Sequence, residues 1–186
     1  IYSIKRYKGI KAQLEYISDI DIETETFIEK YKIHEATQRG KNEIDWVRHY
    51  PWVLNAPLMD ESETRFDFLS IAKNRYEHFN IKVFDQAHNL VGFLVLCIVD
   101  DQIRIPYYYC EENELDLLCR IILRHVIDYK ISMLTVFDER LLHAVDRLSP
   151  HLFKMDYLKE IIATASLKPL FDDCVFQDGD GDWIFS

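Results

Sequence analysis

The sequence predicts a single α/β domain built from strands and helices that follow one another along 186 residues. The run 90–99 is almost wholly apolar, which is typical of a buried strand. Residues 81–85 and 103–109 flank this run across short polar turns, so the three segments predict antiparallel hairpins. A helix is predicted next, because apolar residues recur at helical spacing at Leu115, Leu118, Ile122 and Val126. We therefore expect residues 1–186 to form one domain.

Before the hairpins, the sequence predicts one strand and two helices. Residues 10–17 alternate apolar and polar side chains, as a half-buried strand does. Either Asp19 or Asp21 can cap a helix that continues to about His34. A shorter helix is expected over residues 43–49.

After the hairpins, helices and short strands alternate. Asn113 is expected to cap a helix that reaches about Tyr129. Residues 131–137 form a short apolar segment that predicts a strand, and Asp138 can cap the helix that follows. Two further strands are expected at 158–165 and 183–185.

The charge balance argues against nucleic acid as a partner. Lys and Arg number 22 and Asp and Glu number 32, which gives a formal net charge of −10. A phosphate backbone meets net repulsion from such a chain, and a cationic partner meets attraction.

Cysteine and acidic patterns predict no metal site or disulfide. The four cysteines contain no CxxC pair, and Cys97 lies within the apolar run. The acidic stretch 178–182 alternates Asp and Gly, but it departs from the EF-hand pattern because Trp183 stands where that pattern needs glycine. No apolar stretch reaches the length of a membrane-spanning helix, so we expect a cytoplasmic protein without a membrane partner.

The order of elements from residue 10 to the end of the chain resembles the GNAT family of N-acyltransferases. The resemblance rests on the order and spacing of the elements, especially from residue 81 onward. It implies a mixed, mostly antiparallel central sheet flanked by helices. It also implies transfer of an acetyl group from acetyl-CoA to an amine of a small molecule or peptide.

In that family the cofactor lies where the fourth and fifth strands part, and its pantetheine arm bonds to the backbone of the fourth strand. The matching segments here are 103–109 and 131–137. Pro106 is informative because proline cannot donate to a ladder; it suits either the parting point or an ordinary edge strand. The residues that the resemblance assigns to the cofactor are Ile105, Tyr107, Tyr109, Cys110 and Asn113.

The resemblance assigns catalysis to Tyr108 and Asp138, which stand near the expected pocket. Tyrosine also suits any strand, and aspartate suits any helix N-cap, so structural roles are an open alternative for both residues. In either case Tyr107 and Tyr109 share one face of the strand and Tyr108 occupies the other.

The loop that should hold the cofactor's pyrophosphate departs from the family pattern. The family loop is basic and contains glycine, whereas residues 110–114 here include three glutamates and no glycine. One charge pair about 4 Å apart costs roughly 4 kcal/mol at an effective dielectric near 20. The attraction of a helix N-terminus, about 0.3–1 kcal/mol, does not offset that repulsion. The alternative is that the glutamate side chains turn to solvent while the backbone amides still bind the phosphate.

Two functions therefore follow from the sequence. The first is a GNAT-like N-acyltransferase acting on an amine. The alternative is a catalytically inactive module of this fold that binds a partner and has no affinity for CoA. The chain begins with Ile1, which is compatible with the C-terminal part of a longer protein that carries an upstream domain of similar fold.

Overall fold

The computed structural model describes residues 10–49, 53–55, 70–72, 74–148, 153–155, 166 and 174–180. The strands are β1 (Gln13–Ile17), β2 (Val53–Asn55), β3 (Ser70–Ala72), β4 (Tyr76–Phe84), β5 (Leu90–Val99), β6 (Gln102–Cys110) and β7 (Met133–Leu134). The α-helices are α1 (Ile22–Tyr31), α2 (Lys41–His49), α3 (Leu115–Asp128) and α4 (Glu139–Leu148). Short 3-10 turns cover Lys32–His34, Glu112–Glu114 and Asp178–Asp180.

Five strands form the central sheet in the order β1-β4-β5-β6-β7. The first three pairings are antiparallel, and β6 pairs with β7 in parallel. The predicted mixed, mostly antiparallel sheet flanked by helices is thereby confirmed. A separate parallel pair joins β2 and β3.

Each face of the sheet is covered by one pair of helices. Alternate residues of the central strands pack against α3 and α4, where Leu118, Ile122 and Leu141 are buried. The opposite face packs against α1 and α2 through Phe27 and Ile44. Because β5 lies between these two layers, its side chains from Val91 to Ile98 are buried on both faces.

Several element boundaries match the sequence expectations and others do not; β4, for example, begins at Tyr76 and not at residue 81. Asp21 caps α1, because its carboxylate accepts a hydrogen bond of 2.8 Å from the backbone N–H of Thr24. The cap predicted at Asn113 is wrong, since Asn113 lies inside the 3-10 turn that precedes α3. The strand predicted over 131–137 is confined to the two residues of β7.

The last two expected strands, at 158–165 and 183–185, lie outside the described residues. Among the described residues, no helix is long and apolar enough to cross a membrane. The described part of the chain also contains no group of three or more His, Cys, Asp or Glu side chains that could hold a metal ion.

Candidate active site at the parted strands

Strand β6 contains an irregularity where the sequence places its proline. The register with β5 pairs Tyr107 with Val95 but Arg104 with Cys97, so two residues of β6 oppose one residue of β5. Those two residues are Ile105 and Pro106. A bulge of this kind leaves its extra residue out of the ladder, which is where a residue without an N–H is tolerated.

Strand β7 accompanies β6 for only two residues. Gln102 pairs with Met133 and Ile103 with Leu134, and the contact continues only with the N–H of Thr135, which donates to the carbonyl of Ile103 at 3.0 Å. Beyond this point β6 continues to Cys110 with no β7 residue beside it. The bulge therefore lies just beyond the end of the β7 pairing. Past Ile103, none of the described strands pairs with this edge of β6, and we call this unpaired edge the gap.

The bulge also decides which backbone groups of β6 face the gap. The N–H of Glu111 donates to the carbonyl of Val91 at 3.0 Å, which fixes the phase of the ladder beyond the bulge. Since residues of an antiparallel ladder alternate in direction, Tyr107 and Tyr109 point their backbone groups toward β5. Tyr108 and Cys110 point theirs toward the gap. A backbone contact to a ligand in the gap therefore falls on the latter two residues and not on Tyr107 or Tyr109.

The two residues expected to be catalytic lie close together at this gap. Tyr108 is buried, and burial raises the pKa of its phenol, with the nearby charge of Asp138 raising it further. Arg140 donates a hydrogen bond of 3.0 Å to the phenol oxygen and lies 3.4 Å from the carboxylate of Asp138. Asp138 also caps α4 by accepting from the N–H of Leu141 at 2.9 Å. The cap expected from the sequence is confirmed, and the same side chain borders the site.

The opposite face of β6 holds a buried carboxylate that the sequence reasoning missed. Glu35 follows the turn after α1 and is 4% exposed. Burial raises the pKa of its carboxyl to about 7, against the lowering effect of hydrogen bonds from Gln177 and Tyr109. No spacing or motif marks Glu35, because its burial arises only when the C-terminal segment packs beside it.

That C-terminal segment, residues 174–180, is bonded to the chain around Glu35 and to β6. Val175 forms a parallel bridge with Glu35, and its carbonyl accepts from the N–H of Ala36 at 3.0 Å. The phenol of Tyr107 donates to the carbonyl of Gly179 at 2.7 Å. Arg39 donates to the same carbonyl at 3.0 Å. The segment thus fixes the side chains that stand on this face of β6.

Cys110 and Asn113 complete the set of residues named from the sequence. Cys110 ends β6 half-buried, and burial raises the pKa of its thiol to about 11, so it is a neutral thiol near pH 7. Asn113 is exposed in the 3-10 turn. Ile105 is buried in the bulge.

The loop after β6 lacks the features of a pyrophosphate cradle. The N–H of Glu111 is bonded to Val91, and the N–H of Glu114 is bonded to the carbonyl of Glu111 at 2.9 Å. Two donors that could face a phosphate are thus already used within the chain. The carboxylate of Glu111 turns to Lys30 at 2.8 Å, while Glu112 stays exposed. The three glutamates and the use of these two donors both disfavour binding of the CoA pyrophosphate at this loop.

Comparisons with known proteins give little beyond this geometry. No family model matches the chain, and no curated protein matches it. A crystal structure of an aminoglycoside antibiotic 6'-N-acetyltransferase from Acinetobacter baumannii aligns over 82% of this chain and 99% of that chain. The alignment has a TM-score of 0.36 and a sequence identity of 10%.

Proposed function

We propose that this chain is an N-acyltransferase that moves an acetyl group from a thioester to a cationic amine. The observation that carries the proposal is the edge of β6, where the bulge at Pro106 lies just beyond the end of the pairing to β7. The family resemblance places the acyl donor at such an opening. The net charge of −10 favours an amine that arrives protonated.

Glu35 is the group best suited to accept a proton from the amine. A protonated amine cannot attack a carbonyl carbon, so a base must first remove a proton. The carboxyl of Glu35 has a pKa of about 7, which means that the ionised form is well populated near neutral pH while its proton affinity stays high.

Tyr108 is the candidate proton donor to the leaving group. Its raised pKa keeps the phenol protonated near neutral pH, and its oxygen receives a hydrogen bond from Arg140. The positive charge of Arg140 favours the phenolate that forms when the proton leaves. Asp138, which caps α4, lies 3.4 Å from this arginine and helps to hold it in place.

This chain differs from the family that it resembles in the region expected to bind the acyl donor. The gap beside Tyr108 and Cys110 suits an extended arm that bonds to a strand edge. The loop at 110–114 disfavours binding of the pyrophosphate of acetyl-CoA. We therefore expect a thioester without that pyrophosphate to bind at least as well as acetyl-CoA.

A second candidate is a module of this fold that binds a partner and does not catalyse. One observation favours it: the amide of Gln177 already donates to the carbonyl of Tyr108 at 2.9 Å, one of the backbone groups that face the gap. Together with the acidic loop, this contact closes part of the edge that a donor arm would use.

Isothermal titration with acetyl-CoA, CoA and acetyl-pantetheine separates these functions. Saturable binding of acetyl-pantetheine, followed by acetyl transfer to a panel of amines, supports the acyltransferase. If neither thioester binds at millimolar concentration, the acyltransferase is excluded for these donors and the binding module remains.

Charge variants test the explanation for the loop. Replacing the exposed Glu112 with Gln should tighten acetyl-CoA binding and leave acetyl-pantetheine binding unchanged. Glu139→Gln serves as the matched control, because Glu139 is an exposed glutamate in the first turn of α4. Equal effects of the two substitutions would show that only the overall charge matters.

A further inference from the structure

The side-chain nitrogen of Gln177 lies within hydrogen-bonding distance of two acceptors, one on Glu35 and one on the backbone of β6. Nε2 is 2.9 Å from Oε1 of Glu35 and 2.9 Å from the carbonyl oxygen of Tyr108. When Glu35 is ionised, its carboxylate can only accept hydrogen bonds, as the carbonyl oxygen of Tyr108 always does. An amide NH₂ group, with two hydrogens on one nitrogen, satisfies both at once.

The position of Gln177 is fixed from both sides along the chain. Val175 is tied to the backbone of His34 and Ala36, with hydrogen bonds of 2.7 and 3.0 Å. The N–H of Gln177 itself donates to the carboxylate of Asp180 at 2.8 Å. Since Gln177 is only 5% exposed, its side chain has little freedom to leave the two acceptors.

We propose that Gln177 is a positioning residue that holds the carboxylate of Glu35 and ties it to β6 at the gap. This inference rests on the proposed function for the role of Glu35, but the contacts themselves do not. The second oxygen of Glu35 accepts from the phenol of Tyr109 at 3.1 Å. The carboxylate is therefore held at both oxygens, one by β6 and one by the C-terminal segment.

The charged groups around Glu35 come from each element packed against it. Burial raises the pKa of its carboxyl, the hydrogen bonds from Gln177 and Tyr109 lower it, the charge of Asp180 raises it, and the charge of Lys32 lowers it. Arg39 lies beyond Tyr107, to whose phenol it bonds at 3.2 Å. Tyr109 reaches Glu35 from within β6 through its phenol, whereas Gln177 links Glu35 to the backbone carbonyl of Tyr108 at the gap.

The test is a direct titration of Glu35 by carbon-13 NMR of its carboxyl group in the whole chain. Gln177→Leu removes both donated hydrogens at similar volume, so the titration midpoint of Glu35 should rise by about one pH unit or more. Gln102→Leu is the matched control. Gln102, the first residue of β6, also donates from Nε2, but its acceptor is the hydroxyl of Thr135, which follows β7. An unchanged midpoint in Gln177→Leu would overturn the proposal.

A second variant keeps the test decisive if Gln177→Leu does not fold. Gln177→Glu preserves the shape but places a second carboxyl beside Glu35, so the midpoint should again rise. An unchanged midpoint in this variant would likewise overturn the proposal. The NMR measurement does not depend on acyl transfer. If the midpoint of Glu35 rises in both variants but the protein transfers no acyl group, the positioning role is supported and the acyltransferase function is excluded.

Discussion

The phenol of Tyr109 donates a hydrogen bond of 3.1 Å to the carboxylate of Glu35, a residue 74 positions earlier in the chain. Both side chains are almost fully buried. The bond favours the ionised carboxylate, whereas burial favours the neutral acid and has the larger effect. The result is an acid that titrates near neutral pH inside the fold.

Glu35 should make the protein less stable as pH rises toward and beyond neutrality. The pKa of its carboxyl is raised from 4.5 to about 7, so between these values the folded state binds the proton that the unfolded state has lost. Stability from this group is then fully present below pH 4.5 and is lost as pH rises through about 7. The whole effect is on the order of 3 kcal/mol.

Urea unfolding of the wild type and of Glu35→Gln at pH 5 and pH 8 checks this prediction. The variant has no titrating group at this position, so its stability relative to the wild type should improve by about 2–3 kcal/mol between the two pH values. If the relative stability is the same at both pH values, Glu35 does not titrate in this range.

If acyl transfer occurs, kcat/KM should rise with pH through a midpoint of about 7, because only ionised Glu35 accepts a proton. Glu35→Gln should abolish that midpoint. Tyr108→Phe should lower kcat by roughly 10²-fold or more. Tyr129→Phe removes a phenol at the far end of α3 and should keep activity, which makes it the control. An active Glu35→Gln enzyme with an unchanged pH profile would remove Glu35 from the mechanism.

Gly179 should resist substitution because its α-carbon lies against the ring of Tyr107. A Cβ added at residue 179 would stand 2.4 Å from Cζ and 2.8 Å from the hydroxyl oxygen of that buried ring. Gly179→Ala should therefore cost about 1–3 kcal/mol of unfolding free energy and loosen the C-terminal segment.

Gly92→Ala provides the comparison for this prediction. Its added Cβ would lie 2.6 Å from Cδ1 of Leu118. This atom ends a flexible side chain, which can move more easily than the hydrogen-bonded ring of Tyr107. Thermal unfolding of both variants should rank Gly179→Ala as the less stable. The reverse order would indicate that the segment 174–180 adjusts at little cost.

Asp21 should contribute more to stability than its neighbour Asp19. Asp21 caps α1 through Thr24 and accepts a hydrogen bond of 2.9 Å from Lys82, whose side chain is almost completely buried. Asp21→Ala removes the cap and one partner of that lysine, so about 1–3 kcal/mol should be lost.

Asp19→Ala is the natural control, since Asp19 interacts with exposed groups at Ser18 and His49. Its loss should change stability by less than about 0.5 kcal/mol. Denaturant unfolding at pH 7 measures both. Equal losses would mean that the cap and the Lys82 contact contribute little.

Most of the fold could be predicted from local sequence patterns. The apolar run of β5 and the polar turns around it depend on neighbours within a few residues, so their strands and pairing could be anticipated. The cap at Asp138 is equally local, because the carboxylate bonds an N–H three residues later. The cap expected at Asn113 failed since the 3-10 turn of Glu112–Glu114 already starts the helix.

The sequence by itself thus determined the sheet, its helices, the alternation of the three tyrosines and the mismatch between the loop at 110–114 and a pyrophosphate. Only the tertiary structure decided that a bulge at Pro106 turns the backbone of Tyr108 toward the gap. It alone also brought Gln177 to Glu35 across 142 positions. The physical reason is that burial and long-range hydrogen bonds set the chemistry of Glu35, and neither is encoded in the spacing of nearby residues.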